Sequence, residues 1–184
     1  DYACGTCDLA GSRTGFKEAL HLVWDKNHWK HLKSYKPSAD CCTLAGTARP
    51  FNAVRLQSVD DSSLEIIFIG VHPGHTPDFV STVGPVRAAY DQLNPSGDAH
   101  FIIAGDFNMS CPGAAGGVKL LKNGDTQDYS KQCPSPSQKT CCDGDQFSYS
   151  YDHVFTDLPH ATVTMTFAPG YDVNNPISEQ FNCQ

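Results

Sequence analysis

Phe101-Ile102-Ile103-Ala104-Gly105-Asp106-Phe107-Asn108-Met109-Ser110-Cys111 is the segment that decides the fold of this chain. Its first four residues are apolar and predict a buried strand, after which Gly105 allows a tight turn. The turn presents the carboxylate of Asp106 beside the carboxamide of Asn108. An ordinary strand-end turn would use the same residues only to satisfy backbone donors. The alternative is a site that holds a phosphate group or a metal ion.

Two other segments repeat this design, a buried strand with a polar residue at its end. The first is Leu64-Glu65-Ile66-Ile67-Phe68-Ile69-Gly70-Val71-His72, and the second is Ser148-Tyr149-Ser150-Tyr151-Asp152-His153-Val154-Phe155. Three strands that each present a polar residue predict a common site more strongly than the first segment does by itself.

The remaining pattern predicts layered sheets with few helices. Alternating and β-branched runs predict strands at residues 19–24, 53–58, 64–71, 100–104, 151–155 and 161–167. A helix is predicted over residues 83–93, with Pro85 in its first turn, and a second over 117–122. Residues 111–145 are rich in Gly, Pro, Ser and Lys, so they are predicted to form a surface excursion that Cys111 closes through a disulfide.

Composition indicates one globular domain over residues 1–184, since 40% of the residues are hydrophobic. The net charge of −7 argues against electrostatic capture of nucleic acid, because that affinity comes from Lys and Arg displacing counterions. No apolar run approaches the roughly 20 residues that cross a bilayer, so no membrane partner is expected.

Nine cysteines lack the paired spacing and the histidines of a zinc site, and they predict disulfides formed in an oxidising, extracellular compartment. The spacing of Cys4 and Cys7 also occurs in redox motifs, but the pair does not follow a strand of a βαβ unit and is interpreted as structural. An odd count leaves one thiol free or bonded to another chain. Because no signal peptide is present, we expect the sequence to begin at a processed or trimmed end. The cysteines are Cys4, Cys7, Cys41, Cys42, Cys111, Cys133, Cys141, Cys142 and Cys183.

Taken in order, the three strand-end segments resemble the endonuclease/exonuclease/phosphatase superfamily, and especially secreted deoxyribonucleases of the pancreatic type. Arg13-Thr14-Gly15-Phe16-Lys17-Glu18, Asp40-Cys41-Cys42 and Ala48-Arg49-Pro50-Phe51-Asn52-Ala53-Val54 extend the likeness. The likeness extends over nearly the whole of this chain. It corresponds to only about the last two-thirds of the family domain. The resemblance implies an α/β fold of the α+β kind: a layered β-sandwich with flanking helices, deoxyribonuclease-like and truncated at its N-terminus.

The resemblance also implies roles in phosphodiester hydrolysis, which needs an activated water, neutralised phosphate charge and a stabilised leaving oxygen. His72 would act at the phosphate, with Glu18 fixing its tautomer. Asp106 and Asn108 would bind the phosphate or orient the nucleophile. Asp152 would support a second catalytic histidine, and Arg49 would contact phosphate oxygens. The competing interpretations are a core histidine for His72 and an exposed strand residue for Glu18.

Two departures from the family put catalysis in question. The family begins with two strands that supply an asparagine and the principal metal-binding glutamate, and this chain starts after them. The family also ends in Ser-Asp-His, where this chain has Ser178-Glu179-Gln180. Gln180 cannot act as an acid or base near neutral pH. His153 and His160 are candidates to replace the family histidine, although neither lies at a matching position.

Two hypotheses follow. The first is a secreted pseudoenzyme that retains the scaffold for binding or extracellular assembly. The second is an active Mg²⁺- or Ca²⁺-dependent phosphodiesterase acting on nucleic acid, with Glu179 as a compensating metal ligand. Its site would be completed by another chain or a retained N-terminal fragment. Missing strands would expose a sheet edge and an apolar face, so both hypotheses predict an assembly, self-assembly included. A glycan on the sequon Asn108-Met109-Ser110 would cover the site unless Asn108 is enclosed.

Overall fold

The computed structural model describes residues 2–8, 19–35, 51–74, 79–133, 141–143, 146–149 and 151–159. Two α-helices lie in these residues, α1 at Phe79–Leu93 and α2 at Cys111–Val118. Short 3₁₀ turns follow at Lys119–Leu121 and Tyr129–Gln132. The strands are β1 Tyr2–Asp8, β2 Ala19–Asp25, β3 Trp29–Ser34, β4 Phe51–Ser58, β5 Glu65–Val71, β6 His100–Asp106, β7 Cys141–Asp143, β8 Gln146–Tyr149 and β9 Asp152–Thr156.

The central sheet has five strands in the order β3-β4-β5-β6-β9. Strands β5 and β6 are parallel, and α1 makes the crossover between them that a parallel pair requires. The other neighbours in this sheet are antiparallel, and β1 and β2 form a separate antiparallel pair. The result is the mixed α/β architecture that the sequence predicts.

The two faces of the central sheet pack against different layers, because successive side chains of a strand point to opposite sides. Ile67 and Ile69 of β5 lie in the same apolar cluster as Val86 of α1. Ile66, on the other face, clusters with Leu22 of β2. The β1–β2 pair, the central sheet and the helices therefore form successive layers, and the predicted β-sandwich with flanking helices is confirmed.

Five predicted strands are present, with ends shifted by one or two residues, and the sixth, residues 161–167, lies outside the described residues. The predicted start of the first helix is wrong. It begins at Phe79 and places Pro85 beyond the first turn. Phe79, Val83 and Val86 are buried against the sheet, and this burial offsets the hydrogen bond that proline cannot make.

The prediction of a surface excursion is wrong for its first part. Ala114, Val118, Leu121 and Tyr129 are buried in the main apolar cluster. The small residues of α2 allow this, since a side chain at Gly117 would lie 2.4 Å from the Phe79 ring. The predicted second helix is also displaced, because α2 ends where that prediction begins. Side-chain size, not overall polarity, decides burial here.

A disulfide between Cys111 and Cys133 joins the start of α2 to the end of the second 3₁₀ turn, so the prediction that Cys111 closes this segment is confirmed. For Cys4, Cys7, Cys141 and Cys142 the structure describes only the backbone, in β1 and β7. Cys41, Cys42 and Cys183 lie outside the described residues. Among the helices that the structure describes, none has the length and apolar character that crossing a bilayer requires.

Candidate functional site

The candidate site lies where β5 and β6 end and the antiparallel strand β9 begins. Val71 pairs with Gly105 across the parallel strands, and Asp106 pairs with Asp152 across the antiparallel ones. His72 directly follows β5, so the register brings it beside Asp106. His72, Asp106 and Asp152 thus become neighbours at one edge of the sheet, although Asp152 opens its strand and does not end it as the sequence predicts.

Gly105 makes this approach possible. Its φ angle is +148°, and a Cβ atom built on it would lie 1.9 Å from the carbonyl oxygen of Val71. Only glycine fits between the two strands at this point. The glycine predicted for the turn is therefore required by close backbone packing as well as by conformation.

Asn108 holds the turn in place through both its backbone and its side chain. Its backbone has the left-handed conformation, with φ of 51°, which asparagine tolerates better than most residues. The backbone N–H donates to Oδ1 of Asp106 (2.7 Å), and the side-chain Nδ2 donates to the carbonyl of Pro73 (2.6 Å). The side chain is buried. Its amide nitrogen is enclosed and engaged, so the sequon at Asn108 is not available to a glycan.

His72 and Asp106 form the accessible part of the site. Nε2 of His72 lies 3.9 Å from Oδ2 of Asp106, and the two side chains are 24% and 28% exposed. The competing interpretation of His72 as a core histidine does not describe this position. A partly exposed imidazole beside a carboxylate can orient a water molecule and donate to a phosphoryl oxygen. The turn interpretation of Asp106 is confirmed by its Oδ1, which accepts from Asn108, whereas its Oδ2 faces His72 and the site interpretation stays a prediction.

The structure brings together His72, Asp106, Asn108 and Asp152 of the predicted site. Glu18, Arg49 and Glu179 lie outside the described residues, and their roles stay predictions. Within the described residues, no group of three or more His, Cys, Asp or Glu side chains is arranged to hold a metal ion.

His153 is enclosed, which argues against its serving as a substitute for the family's second histidine. It follows Asp152, so its side chain points to the opposite face of β9, and only 1% of it is exposed. Nε2 donates to the carbonyl of Met109 (3.0 Å), and the ring packs near Phe107 and Phe155. Burial lowers its pKa, although the bond to Met109 acts in the opposite direction. Alternation with the apolar Phe155 is the sequence signal that indicates this burial.

Solved structures of other proteins have the same fold. The catalytic domain of human Nocturnin, with a bound sulfate anion, has a TM-score of 0.59 and 13% identity over 84% of this chain and 60% of its own. An endonuclease/exonuclease/phosphatase family protein from Bacteroides thetaiotaomicron has a TM-score of 0.60 and 16% identity over 84% of this chain and 59% of its own. This chain has the endonuclease/exonuclease/phosphatase fold. A mannosyl-6-phosphatase from Bacteroides thetaiotaomicron shares it, with a TM-score of 0.57 and 16% identity over 83% of this chain and 62% of its own.

The endonuclease/exonuclease/phosphatase fold is the one that the strand-end segments indicate, so this prediction from the sequence is confirmed. Neither a protein-family model nor a curated protein sequence matches the chain. The chain spans 59% to 62% of the length of the three structures above. At these identities the comparison establishes the fold alone.

Proposed function

We propose that this chain is a secreted phosphate-ester-binding protein that uses a nuclease-type scaffold without catalysing hydrolysis by itself. The observation that carries the proposal is the pairing of His72 with Asp106 at the ends of β5 and β6, on a turn held by Asn108. The neighbours in fold support this chemistry, since one is named as a mannosyl-6-phosphatase and another holds a sulfate anion.

The charges of the site define what it binds. Asp106 and Asp152 are paired across β6 and β9, and two adjacent carboxylates repel a free phosphate. Among the described residues, the His72 imidazole can donate a hydrogen bond that offsets this repulsion. Arg49 is predicted to add a second donor to the phosphate. A phosphate ester bound together with a divalent cation suits this balance better than the free anion does. Binding should therefore strengthen when Mg²⁺ or Ca²⁺ is added.

The sequence supports a binding role over catalysis. Gln180 occupies the place of the family's essential histidine, and a carboxamide exchanges no proton near neutral pH. The described residues that would position a phosphate, His72, Asp106 and Asn108, lie together.

The second candidate is an active Mg²⁺- or Ca²⁺-dependent phosphodiesterase whose site is completed by a partner. The observation that favours it is the register that places His72, Asp106 and Asp152 on adjacent strands. Such a partner would be another chain, a retained N-terminal fragment or a second copy. Glu179 would be the ligand that this chain itself supplies.

An assembly also suits the apolar face of the central sheet. Strand β2 packs on β4 and β5, and Phe68 and Ile102 contact the apolar cluster of β2, yet these two residues and Val154 are only partly buried. The odd number of cysteines allows a covalent link to a partner in an extracellular compartment. Intact mass under non-reducing and then reducing conditions tests this part of the proposal. A second fragment released by reduction supports a covalent partner, and an unlinked single chain overturns it.

Binding and hydrolysis are separated by one pair of assays on the natural protein. Inorganic phosphate with Mg²⁺ is titrated while backbone amide signals are followed by NMR, and supercoiled DNA and p-nitrophenyl phosphate are incubated with Mg²⁺, Ca²⁺ or EDTA. We expect phosphate to shift the signals of His72 and Asn108 with no substrate hydrolysed. His72→Ala should abolish the shifts, whereas His28→Ala, an exposed change at the far end of the sheet, should not.

Two results contradict the proposal in different ways. Hydrolysis that EDTA and His72→Ala both abolish would replace the binding role with the enzyme hypothesis. If the amide signals around His72 do not respond to phosphate, with or without Mg²⁺, the inference that the protein binds phosphate is wrong.

A further inference from the structure

The turn that carries Asp106 and Asn108 is held from outside by bonds to separate segments. The backbone N–H of Phe107 donates to the carbonyl of Tyr151 (2.8 Å), just before β9. Asn108 donates to the carbonyl of Pro73, beyond β5. The carbonyl of Met109 accepts from Nε2 of His153, a side chain of β9. The third bond involves a titratable group that has no role in the proposed site.

The surroundings of His153 select one form of its ring. Because the Met109 carbonyl can only accept, Nε2 must carry a hydrogen. Nδ1 is buried and has no hydrogen-bond partner among the described residues. A second proton on this ring would place a positive charge in an apolar environment, which burial disfavours. The neutral ring with hydrogen on Nε2 is therefore the form that fits.

The position of His153 links this bond to the site. His153 pairs with Gly105 across β9 and β6, so its ring lies below the point where the turn begins. Its ring centroid is 5.8 Å from that of Phe107 and 5.9 Å from that of Phe155. The preceding residue, Asp152, points to the site on the other face. One strand thus presents a site carboxylate and, one residue later, the support of the neighbouring turn.

We propose that His153 is a positioning residue, whose Nε2–H tautomer holds the Met109 carbonyl and thereby sets the Asp106 carboxylate against His72. His153 does not contact the ligand. The effect on ligand affinity rests on the proposed phosphate binding, whereas the effect on the turn does not.

Substitutions distinguish a hydrogen-bond donor from a space-filling ring. His153→Phe keeps an aromatic ring but leaves the Met109 carbonyl without its donor, and should weaken phosphate binding about fivefold, the equivalent of one hydrogen bond. His153→Gln retains an N–H donor on a similar length of side chain and should bind within about twofold of the natural protein. Rescue by glutamine is not expected of a ring that only fills space.

Thr156→Val is the matched control for lost stability. Thr156 lies on the same strand, is buried, and its hydroxyl donates to the carbonyl of Phe101 (2.6 Å) away from the site. Its loss should lower the free energy of unfolding to a similar degree as His153→Phe. Phosphate affinity should stay unchanged in the control if His153 acts through the turn.

The experiment combines NMR of the full chain labelled with ¹⁵N-histidine, phosphate titration in the presence of Mg²⁺, and hydrogen exchange at the Asn108 backbone amide. We expect a protonated Nε2 and an unprotonated Nδ1 on His153 at pH 7. Exchange at Asn108 should accelerate in His153→Phe and recover in His153→Gln.

A hydrogen on Nδ1 in place of Nε2 would overturn the proposal. Equal loss of phosphate affinity in His153→Phe and Thr156→Val would do the same, because it would assign the effect to general stability. If the natural protein binds no phosphate, the proposed function fails and the exchange data decide the role of His153. Equal exchange rates in the phenylalanine and glutamine variants would then refute the positioning role.

Discussion

Asn108→Ala should destabilise the protein through two separable effects. The substitution removes the 2.6 Å bond from Nδ2 to the buried Pro73 carbonyl, which costs about 1–3 kcal/mol when the acceptor is left without a partner. It also places a Cβ-bearing residue without a compensating polar group at a φ of 51°, which costs about 1 kcal/mol. Together these effects predict a loss of about 2–4 kcal/mol in the free energy of unfolding.

Asn108→Gly and Asn108→Asp separate these effects. Glycine loses the same hydrogen bond but adopts the left-handed conformation freely, so it should be more stable than alanine by about 0.5–1 kcal/mol. Aspartate tolerates the conformation, but its carboxylate cannot donate to Pro73 and lies next to Asp106. It should therefore be at least as destabilising as alanine.

Urea unfolding of the non-reduced protein, followed by tryptophan fluorescence, measures these differences, because Trp24 is buried in the interface between the sheets. The order expected from most to least stable is the natural protein, Asn108→Gly and Asn108→Ala. A cost below about 0.5 kcal/mol for Asn108→Ala would refute the inference that the side chain is a buried donor. An alanine variant that equals glycine would refute the contribution of the backbone conformation.

Two further substitutions test packing and charge, each by the same unfolding assay. Gly105→Ala should lower the free energy of unfolding by about 3 kcal/mol or more, since its Cβ would lie 1.9 Å from a backbone oxygen. The control Gly84→Ala, in an open part of α1, should raise the free energy of unfolding by up to about 1 kcal/mol. A small effect of Gly105→Ala would contradict the close packing of the strands. Lys122→Met should lower the free energy of unfolding by about 2 kcal/mol, because it removes the ammonium group that pairs with the buried Asp157 carboxylate. Burial alone would lower the pKa of Lys122, but the hydrogen bond and the charge of Asp157 raise it above 10.5. The stability that the ion pair contributes is therefore present below about pH 10.5 and is lost as the pH rises through the folded-state pKa. The two proteins should converge in stability at high pH, and a difference that persists there would argue against the ion pair.

The sequence predicts most of the central sheet because the information is local. Alternation and β-branched runs determine where β2, β4, β5, β6 and β9 form, and an apolar strand followed by Gly-Asp-Phe-Asn indicates a polar turn. Strand β3 was not predicted, since four of its six residues are exposed and its sequence has no clear alternation. Helix α2 was misplaced because its alanine and glycine residues resemble a loop until the Phe79 ring that they accommodate is known.

The amino-acid sequence by itself predicted His72, Asp106, Asn108 and Asp152 as site residues, because each lies beside a recognisable apolar segment. Only the tertiary structure decided which of them lie together and what holds them. Pairing of β6 with β9 joins segments that are about fifty residues apart, and the partners of Asn108 and His153 are backbone carbonyls of other segments. Backbone acceptors are present at every residue and leave no mark in the sequence. Which of them a buried side chain meets depends on packing between distant parts of the chain.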